Sequence, residues 1–333
     1  MSSAPKIPTV QLPSGARMPV VGLGTWKSKP GEVKQAVKDA IDVGYRHFDC
    51  AFIYQNENEI GEAFAEKFKE GVVKREDLFI CSKVWNTFHS KEAVKRGLAE
   101  TLKSLQLDYL DLYIIHWPMG YLEGGDIVPW DKDGKMQHSD IDYVETWQAL
   151  EEVQKSGKAR DIGVSNFNVE QLKRIQAISS LPIAVNQIEV HVYNQNKELI
   201  QYCKQHNITI VGYSPLGSFD RPDDGLTSDY PPPLEDSSVK GIAEKHKKQP
   251  GQILLKYLLQ QGYVVIPKSV RKERLQANLQ LFDFELDAAD QQALTQLCKG
   301  GHARACTMNQ DWNHKHHPFP NQGKIRARGA VIQ

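Results

Sequence analysis

The chain has 333 residues, of which 40% are hydrophobic, so it can bury the core of one large domain or of two smaller ones. Its 41 basic and 41 acidic residues give a formal net charge of zero, which argues against a nucleic-acid partner because such proteins are usually basic. A membrane partner is not expected either, since no apolar run approaches the ~20 residues of a membrane span.

The predicted strands and helices alternate along the chain. A small hairpin is predicted at 9–18 and a buried strand at 20–24, and an amphipathic helix opens at Pro30 and ends at Gly44. Further strands are predicted at 45–50, 78–83, 112–115, 159–165, 183–187, 208–213 and 263–268. Further helices are predicted at about 57–69, 91–105, 143–155, 169–178 and 197–206. Long loops are predicted at 120–139 and 214–233, and two more helices follow the second loop.

Eight strands separated by helices at even spacing predict a (β/α)8 TIM barrel of the α/β class, formed as a single domain by residues 1–333. Strands such as 112–115 and 264–266 are continuous apolar runs, as expected for parallel strands covered on both sides. The alternative is an open doubly wound sheet, which usually carries Gly-x-Gly-x-x-Gly at its first turn. Here Gly22-Leu23-Gly24 is followed by Thr25-Trp26-Lys27, which does not fit.

Polar and aromatic residues occupy nearly every predicted strand end, and in a barrel these ends share one face with the active site. The residues are Trp26, Asp49, Lys83, His116, Ser165, Asn166, Gln187, Tyr213, Ser214, Lys268 and Ser269.

Four ionisable residues, Asp49, Tyr54, Lys83 and His116, suggest proton chemistry on a carbonyl group. A free Tyr has a pKa of ~10, and a nearby ammonium lowers it, while a carboxylate balances the buried ammonium. A tuned phenol can then protonate a carbonyl oxygen that a neutral His orients. No metal-ligand spacing and no serine nucleophile motif is present, so no metal is expected and a bound cofactor has to supply hydride.

Aromatic and basic residues indicate where substrate and cofactor bind. Trp26, Trp85 and Trp117 follow strand ends and can line an apolar mouth, and Tyr213 can stack on a flat ring. At the last strand, Lys268 and Ser269 precede a helix start, a place suited to anions, with Arg274 one turn inside. These cations suit an extra ribose phosphate, which favours NADPH over NADH.

Each of these residues also has a purely structural interpretation. Asp49 can cap a turn, His116 can bond to backbone, and the tryptophans can pack in the core. The basic residues at 271–274 can form a solvated helix face, and the histidines at 302–317 can suggest a metal, although they lie in a polar, Asn- and Pro-rich tail. The structural interpretations weaken together, because four such residues recur at equivalent strand ends.

From about 9 to 319, the ordered set of motifs resembles the aldo-keto reductase superfamily, most closely aldose and aldehyde reductases. The motifs are Gly22-Leu23-Gly24-Thr25-Trp26, Gly44-Tyr45-Arg46-His47-Phe48-Asp49, Leu112-Tyr113-Ile114-Ile115-His116-Trp117-Pro118, Gly163-Val164-Ser165-Asn166-Phe167, Gln187, Tyr213-Ser214-Pro215-Leu216-Gly217 and Ile266-Pro267-Lys268-Ser269. The tail at 325–333 has no counterpart in this resemblance.

The resemblance implies NADPH-dependent reduction of aldehydes and some ketones, with Tyr54 as proton donor, Lys83 and Asp49 as its tuning pair and His116 orienting the carbonyl. It assigns to the cofactor Thr25, Trp26, Lys27, Asp49, Ser165, Asn166, Gln187, Tyr213, Ser214, Leu216, Ser218, Asp220, Lys268, Ser269, Val270, Arg274 and Asn278. It assigns to the substrate Trp26, Tyr54, Trp85, His116 and Trp117. The alternative function is a non-catalytic NADPH-binding or sensing barrel, and a phosphate-binding isomerase or lyase is a further rival.

Several positions depart from the family pattern. Ala277 stands where aldose reductase has a carboxylate that contacts adenine, which predicts weaker NADPH affinity, and Asp223 stands where it has a pocket tryptophan. The loop at 300–317 matches poorly, so the particular carbonyl substrate stays open. The residues from Met1 to Lys6 show no apolar signal segment, and the five cysteines are scattered without a Cys-x-x-Cys pair. We therefore expect a cytoplasmic protein, and a monomer.

Overall fold

The computed structural model describes residues 7–218 and 230–319 of the chain. Within these residues, eight parallel strands form one sheet in chain order. The strands are β3 (Leu23–Gly24), β4 (His47–Asp49), β5 (Phe79–Val84), β6 (Leu110–Ile115), β7 (Ala159–Ser165), β8 (Val185–Glu189), β9 (Thr209–Tyr213) and β10 (Val264–Val265), preceded by a hairpin of β1 (Thr9–Gln11) and β2 (Arg17–Pro19).

The sheet closes on itself between its first and last strands. Val21 and Val265 form a parallel bridge, and the Gly22 amide donates to the Val265 carbonyl at 2.8 Å. This closure confirms the (β/α)8 barrel predicted from the sequence and excludes the open doubly wound sheet. The predicted strands at 20–24 and 263–268 are regular over only two residues each. Pro267 has no N–H to donate, so isolated bridges on either side of it, and not a continuous ladder, join the first strand to the last.

Helices surround the barrel and shield its strands from water. They are α1 (Glu32–Val43), α2 (Glu57–Lys69), α3 (Lys91–Leu105), α4 (Tyr143–Lys155), α5 (Val169–Gln176), α6 (Lys197–Gln205), α7 (Ser237–His246), α8 (Pro250–Gln260), α9 (Lys272–Leu279) and α10 (Ala288–Gln296). The buried residues of α1 lie at 33, 36, 37, 40 and 41, which is the apolar stripe of a helix with one covered face. No helix of the described residues is long and apolar enough to cross a membrane.

The hairpin covers the end of the barrel where the strands begin. Leu12 and Met18 are buried against barrel-interior residues that include Phe79 and Leu112. The carboxylate of Asp161, on β7, accepts hydrogen bonds from the Ser14 amide, at 3.1 Å, and from the Ser14 hydroxyl. One end of the barrel is therefore closed, and the carboxyl ends of the strands remain for the site.

Candidate active site

A buried ion pair joins neighbouring strand ends. Asp49 ends β4 and Lys83 lies near the end of β5, and Lys83 Nζ donates to Asp49 Oδ2 at 2.7 Å. Lys83 is completely buried, and Nζ also donates to the Cys50 carbonyl at 2.8 Å. The other oxygen of Asp49 accepts from Gln187 Nε2 at 2.8 Å. Because both charges have hydrogen-bond partners, the pair can remain ionised away from water.

Tyr54 is brought to this pair by a short 3-10 helix, Phe52–Tyr54, which follows β4. Lys83 Nζ lies 3.4 Å from the Tyr54 hydroxyl and donates to it. The Tyr54 ring stands edge-on to that of His116, with 5.8 Å between ring centroids. The four ionisable residues that lie far apart in sequence are therefore neighbours in the fold, as predicted.

Burial changes the ionisation of this group in a way that the sequence did not predict. It raises the pKa of Tyr54, and the Lys83 charge offsets that rise only in part. The sequence argument considered the ammonium alone and predicted a lowered pKa, but desolvation of the phenolate dominates in the folded protein. Burial opposes the charged form of Lys83, yet attraction to Asp49 and Tyr54 leaves the pKa of Lys83 above its ordinary value. Tyr54 thus holds its proton beside a charged ammonium.

His116 lies just past the end of β6 and is neutral. Burial, together with the Lys83 charge, holds the pKa of His116 well below its ordinary value. The ring packs between Tyr54 and Trp85, whose centroid is 5.5 Å away. Its Nδ1 has no hydrogen-bond partner among the described residues. A neutral imidazole of this kind can orient a polar group on a bound molecule.

The residues predicted to hold the nicotinamide amide form a hydrogen-bonded group with the catalytic candidates. Asn166 has a φ of 63°, and its Nδ2 donates to the His116 carbonyl and to the Ser165 hydroxyl, both at 3.0 Å. Its Oδ1 accepts from the Tyr213 hydroxyl at 2.7 Å. Gln187 donates to Asp49, as described above, so this side chain also orients the carboxylate. That second role was missed, because a contact between β4 and β8 crosses the barrel.

The first strand and the long loop after β9 supply further predicted cofactor residues. The Thr25 hydroxyl donates to the Asp49 carbonyl at 2.8 Å, and Lys27 Nζ lies 4.9 Å from the centroid of the exposed Trp26 ring. The Ser218 hydroxyl donates to that of Ser214 at 2.6 Å. Leu216 is half-buried against the core. Asp220, predicted to bind the cofactor from the same long loop, and Asp223 lie outside the described residues.

A cationic site stands at the seam of the barrel. Lys268 forms a bridge with Gly24 that joins the last strand to the first. Ser269 and Val270 precede α9, and Asn278 lies within it. Lys268 and Arg274 are both exposed, and neither forms an ion pair within the described residues. Two unpaired cations near a helix N-terminus are suited to a phosphate group.

Aromatic side chains line the open end of the barrel. Trp85 and Trp117 are buried, whereas Trp26 is 36% exposed. Trp85 Nε1 donates to the Ile127 carbonyl at 2.6 Å, so the loop at 120–139 is held against it. Tyr121, which the sequence argument did not single out, is fully buried and edge-on to Trp85.

The segment at 304–306 belongs to the loop that the sequence analysis connected with the choice of substrate, but its contacts with Tyr213 were not predicted. The Cys306 thiol lies within hydrogen-bond reach of the hydroxyl of Tyr213. No periodic pattern marks this segment, so the sequence carried little signal for it. Its distance of about a hundred residues from β9 hid the contact.

Comparison with known proteins agrees with this geometry. Residues 20–299 match the model of the Aldo/keto reductase family. The chain is 43% identical over 318 residues to aldo-keto reductase family 1 member A1-A of Danio rerio, covering 94% of this chain and 98% of that protein. It is 48% identical over 278 residues to family 1 member A1 of Gallus gallus, covering 83% of this chain and 84% of that protein.

Solved structures give the same result. The aldose reductase of Schistosoma japonicum superimposes with a TM-score of 0.87 at 40% identity, covering 94% of this chain and 99% of that one. The aldo-keto reductase of Bombyx mori, solved in complex with NADP, gives a TM-score of 0.85 at 38% identity, covering 95% of this chain and 100% of that one. The chain therefore belongs to the aldo/keto reductase family.

Proposed function

We propose that this protein reduces aldehydes and some ketones to alcohols with NADPH as the cofactor. The observation that carries the proposal is the buried chain of contacts from Asp49 through Lys83 to the Tyr54 hydroxyl, at 2.7 and 3.4 Å, with the neutral His116 beside it. This arrangement suits protonation of a carbonyl oxygen. It also argues against the non-catalytic alternative, because a binding protein gains nothing from a buried ion pair next to a phenol.

The described residues fit a dinucleotide that carries an extra phosphate. Lys268 and Arg274 have no ion-pair partner in the described part of the chain, and the Tyr213 ring is half-buried, with its hydroxyl bonded to Asn166. The Bombyx mori relative binds NADP. When bound, NADPH would supply the hydride, and Ser165, Asn166, Gln187 and Tyr213 would hold its nicotinamide.

The protein's own groups would then handle the proton. His116 donates a hydrogen bond to the carbonyl oxygen and turns that oxygen towards Tyr54. Tyr54 transfers its proton to the oxygen as negative charge develops there. The Lys83 ammonium stabilises the phenolate that remains, and Asp49 holds the ammonium in place. Trp26, Trp85 and Trp117 exclude water and contact the apolar part of the substrate.

Replacement of Tyr54 tests the assignment. Tyr54→Phe keeps the ring but removes the acidic hydroxyl, and general acid catalysis contributes about 10²–10⁴-fold, so we expect the kcat for 4-nitrobenzaldehyde to fall by at least the lower figure. NADPH binding, measured by quenching of tryptophan fluorescence, should persist. Full reductase activity in this variant would overturn the role of Tyr54, and a wild-type protein that binds NADPH but oxidises none would favour the sensing alternative.

We further propose that the protein works as a monomer in the cytoplasm. None of the five cysteines, all of which lie in the described part of the chain, forms a disulfide, and Cys50, Cys81 and Cys203 are buried, which suits a reducing compartment.

A further inference from the structure

A buried carboxylate fastens the C-terminal loop, residues 300–319, to the barrel. Glu189 ends β8 and is completely buried. It lies two residues after Gln187, so the two side chains leave the strand on the same side. Its Oε1 accepts from the Ala305 amide at 2.7 Å, and its Oε2 accepts from the Cys306 amide at 2.6 Å. One side chain thus fixes two consecutive main-chain groups of the loop.

The surroundings of Glu189 keep it ionised. Its Oε1 also accepts from His191 Nε2 at 3.0 Å. Burial raises the pKa of Glu189, but His191, the nearby Arg304 and the loop amides outweigh burial and lower that pKa to about 2. Hydrogen bonds to a charged acceptor are stronger than neutral ones. The attachment is therefore present at any pH near neutrality.

A second contact supports the same attachment. Asn196 Nδ2 donates to the Glu189 carbonyl at 2.7 Å, and Asn196 Oδ1 accepts from Arg304 at 2.8 Å. Asn196 has a φ of 43°, a left-handed conformation that Asn and Gly tolerate best. Glu189 and Asn196 thus hold the segment at 304–306 through separate hydrogen bonds.

The fastened segment forms part of the site. The Cys306 side chain lies within hydrogen-bond reach of the Tyr213 hydroxyl. The Arg304 guanidinium lies 3.7 Å from the Phe319 ring centroid, and Phe319 stands edge-on to Trp117. Glu189 itself belongs to none of these contacts, but it determines where they are made.

We propose that Glu189 is a positioning residue that sets one wall of the substrate pocket, beside Tyr213 and Trp117, by fixing residues 304–306. This proposal rests on the proposed carbonyl-reductase function. Displacement of the segment should weaken the binding of aldehydes whose substituent lies against Cys306 and Phe319. It should leave the proton-transfer residues in place, since Asp49, Lys83 and Tyr54 are held by β4, β5 and the turn after β4.

The test compares Glu189→Gln with Glu151→Gln. The amide keeps the shape of Glu189 but places an NH2 group against a main-chain N–H, so at least one loop contact is lost. Glu151 is a matched control: it is buried and accepts from two consecutive amides, those of Ser180 and Leu181 at 2.7 and 3.2 Å. That loop precedes β8 and lies at the opposite end of the barrel from the site.

Three readouts separate positioning from a general loss of stability. They are the KM and kcat for 4-nitrobenzaldehyde with NADPH, the rate of Cys306 labelling by a thiol reagent in a Cys298→Ser background, and the melting temperature. For Glu189→Gln we expect KM and the labelling rate each to rise about tenfold, the effect of losing one hydrogen bond to a charged group, with little change in kcat. Glu151→Gln should lower the melting temperature only.

Two outcomes would overturn the proposal. One is an unchanged KM and labelling rate in Glu189→Gln, and the other is equal changes in Glu189→Gln and Glu151→Gln. If Glu189→Gln does not fold, Asn196→Gly, which the left-handed backbone accepts, removes the second contact and should raise the labelling rate. Labelling needs no turnover, so it still tests the attachment of the loop if the wild-type protein reduces no aldehyde. A failure of the wild type to reduce aldehydes would count against the proposed function alone.

Discussion

Burial holds His116 and Tyr54 in the protonation states that the proposed carbonyl reduction requires. The pKa of His116 is lowered, so its imidazole is neutral, and the pKa of Tyr54 is raised, so its phenol keeps its proton. Both shifts come mainly from desolvation, which disfavours the charged form of either group. The energy for the later ionisation of Tyr54 has to come from Lys83 and from events on the substrate.

These shifts predict a flat pH profile. A histidine whose pKa is lowered stays neutral at every pH above its ordinary value of ~6.5, and a tyrosine whose pKa is raised stays protonated below ~10. We therefore expect the kcat for aldehyde reduction to be constant from about pH 6.5 to 8.5, a range that lies between those two values. The check is kcat at saturating NADPH in buffers of constant ionic strength, with His116→Gln as control. A break near neutrality in the wild type that His116→Gln abolishes would contradict a neutral His116.

At the level of single residues, the sequence indicated which groups meet but not how they are charged. Asp49, Lys83 and His116 were identifiable because each lies at the end of a predicted strand. The rise in the pKa of Tyr54 and the bond from Gln187 to Asp49 depend on burial and on contacts across the barrel. Neither property is encoded in local sequence patterns.

The start of α9 is the element that should distinguish NADPH from NADH. Lys268 and Arg274 are exposed and lack ion-pair partners in the described chain, whereas the neighbouring Lys272 lies 3.8 Å from Asp39. Since NADPH differs from NADH by one phosphate, only the unpaired cations should respond to the difference.

We expect Lys268→Ala and Arg274→Ala each to weaken NADPH binding by about tenfold, the usual effect of losing a charge-assisted bond, and to leave NADH binding unchanged. Dissociation constants from tryptophan fluorescence at two salt concentrations provide the measurement, and Lys272→Ala is the matched control. Equal losses for both dinucleotides would show that these cations contact a group common to the two.

The helices were more predictable than the strands. The bounds of α2, α3 and α4 agree with those predicted, because an amphipathic stripe marks each of them. Side-chain caps also mark the starts of α3 and α4, such as Ser90 accepting from the Ala93 amide. β3 and β10 are shorter than predicted, since regular pairing there depends on the distant partner strand. α10 was not predicted individually, although Asp287 and Asp290 form a capping box at its start.

At the scale of the whole molecule, stability and chemistry are separated at the two ends of the barrel. The hairpin covers the end where strands begin, anchored by the contacts of Ser14 with Asp161, and the catalytic candidates lie at the other end. We propose that residues 1–333 form a single domain, as the common barrel suggests. Removal of the anchor should then lower stability without altering the site.

For Asp161→Ala we expect the free energy of unfolding to fall by about 1–3 kcal/mol, the effect of losing hydrogen bonds that a carboxylate accepts, with kcat and KM unchanged. Urea unfolding followed by circular dichroism measures the first quantity and steady-state kinetics the second. Ser14→Ala, which keeps the amide contact, should give a smaller loss. A changed KM, or unfolding in two separate steps, would contradict the assignment of one domain with independent ends.

The junction of Val21 with Val265, and of Gly24 with Lys268, carries a consequence for biosynthesis. During translation the first barrel strand emerges long before its neighbour at the far end of the polypeptide exists. Trp26 and Lys27 lie on one side of this junction, and Lys268 and Ser269 lie on the other. The proposed nucleotide-binding surface therefore forms only when the first and last strands pair and the barrel closes. A nascent chain or a truncated product that stops before Val264 should therefore have no affinity for the dinucleotide, and cells would not sequester reduced nicotinamide on unfinished molecules.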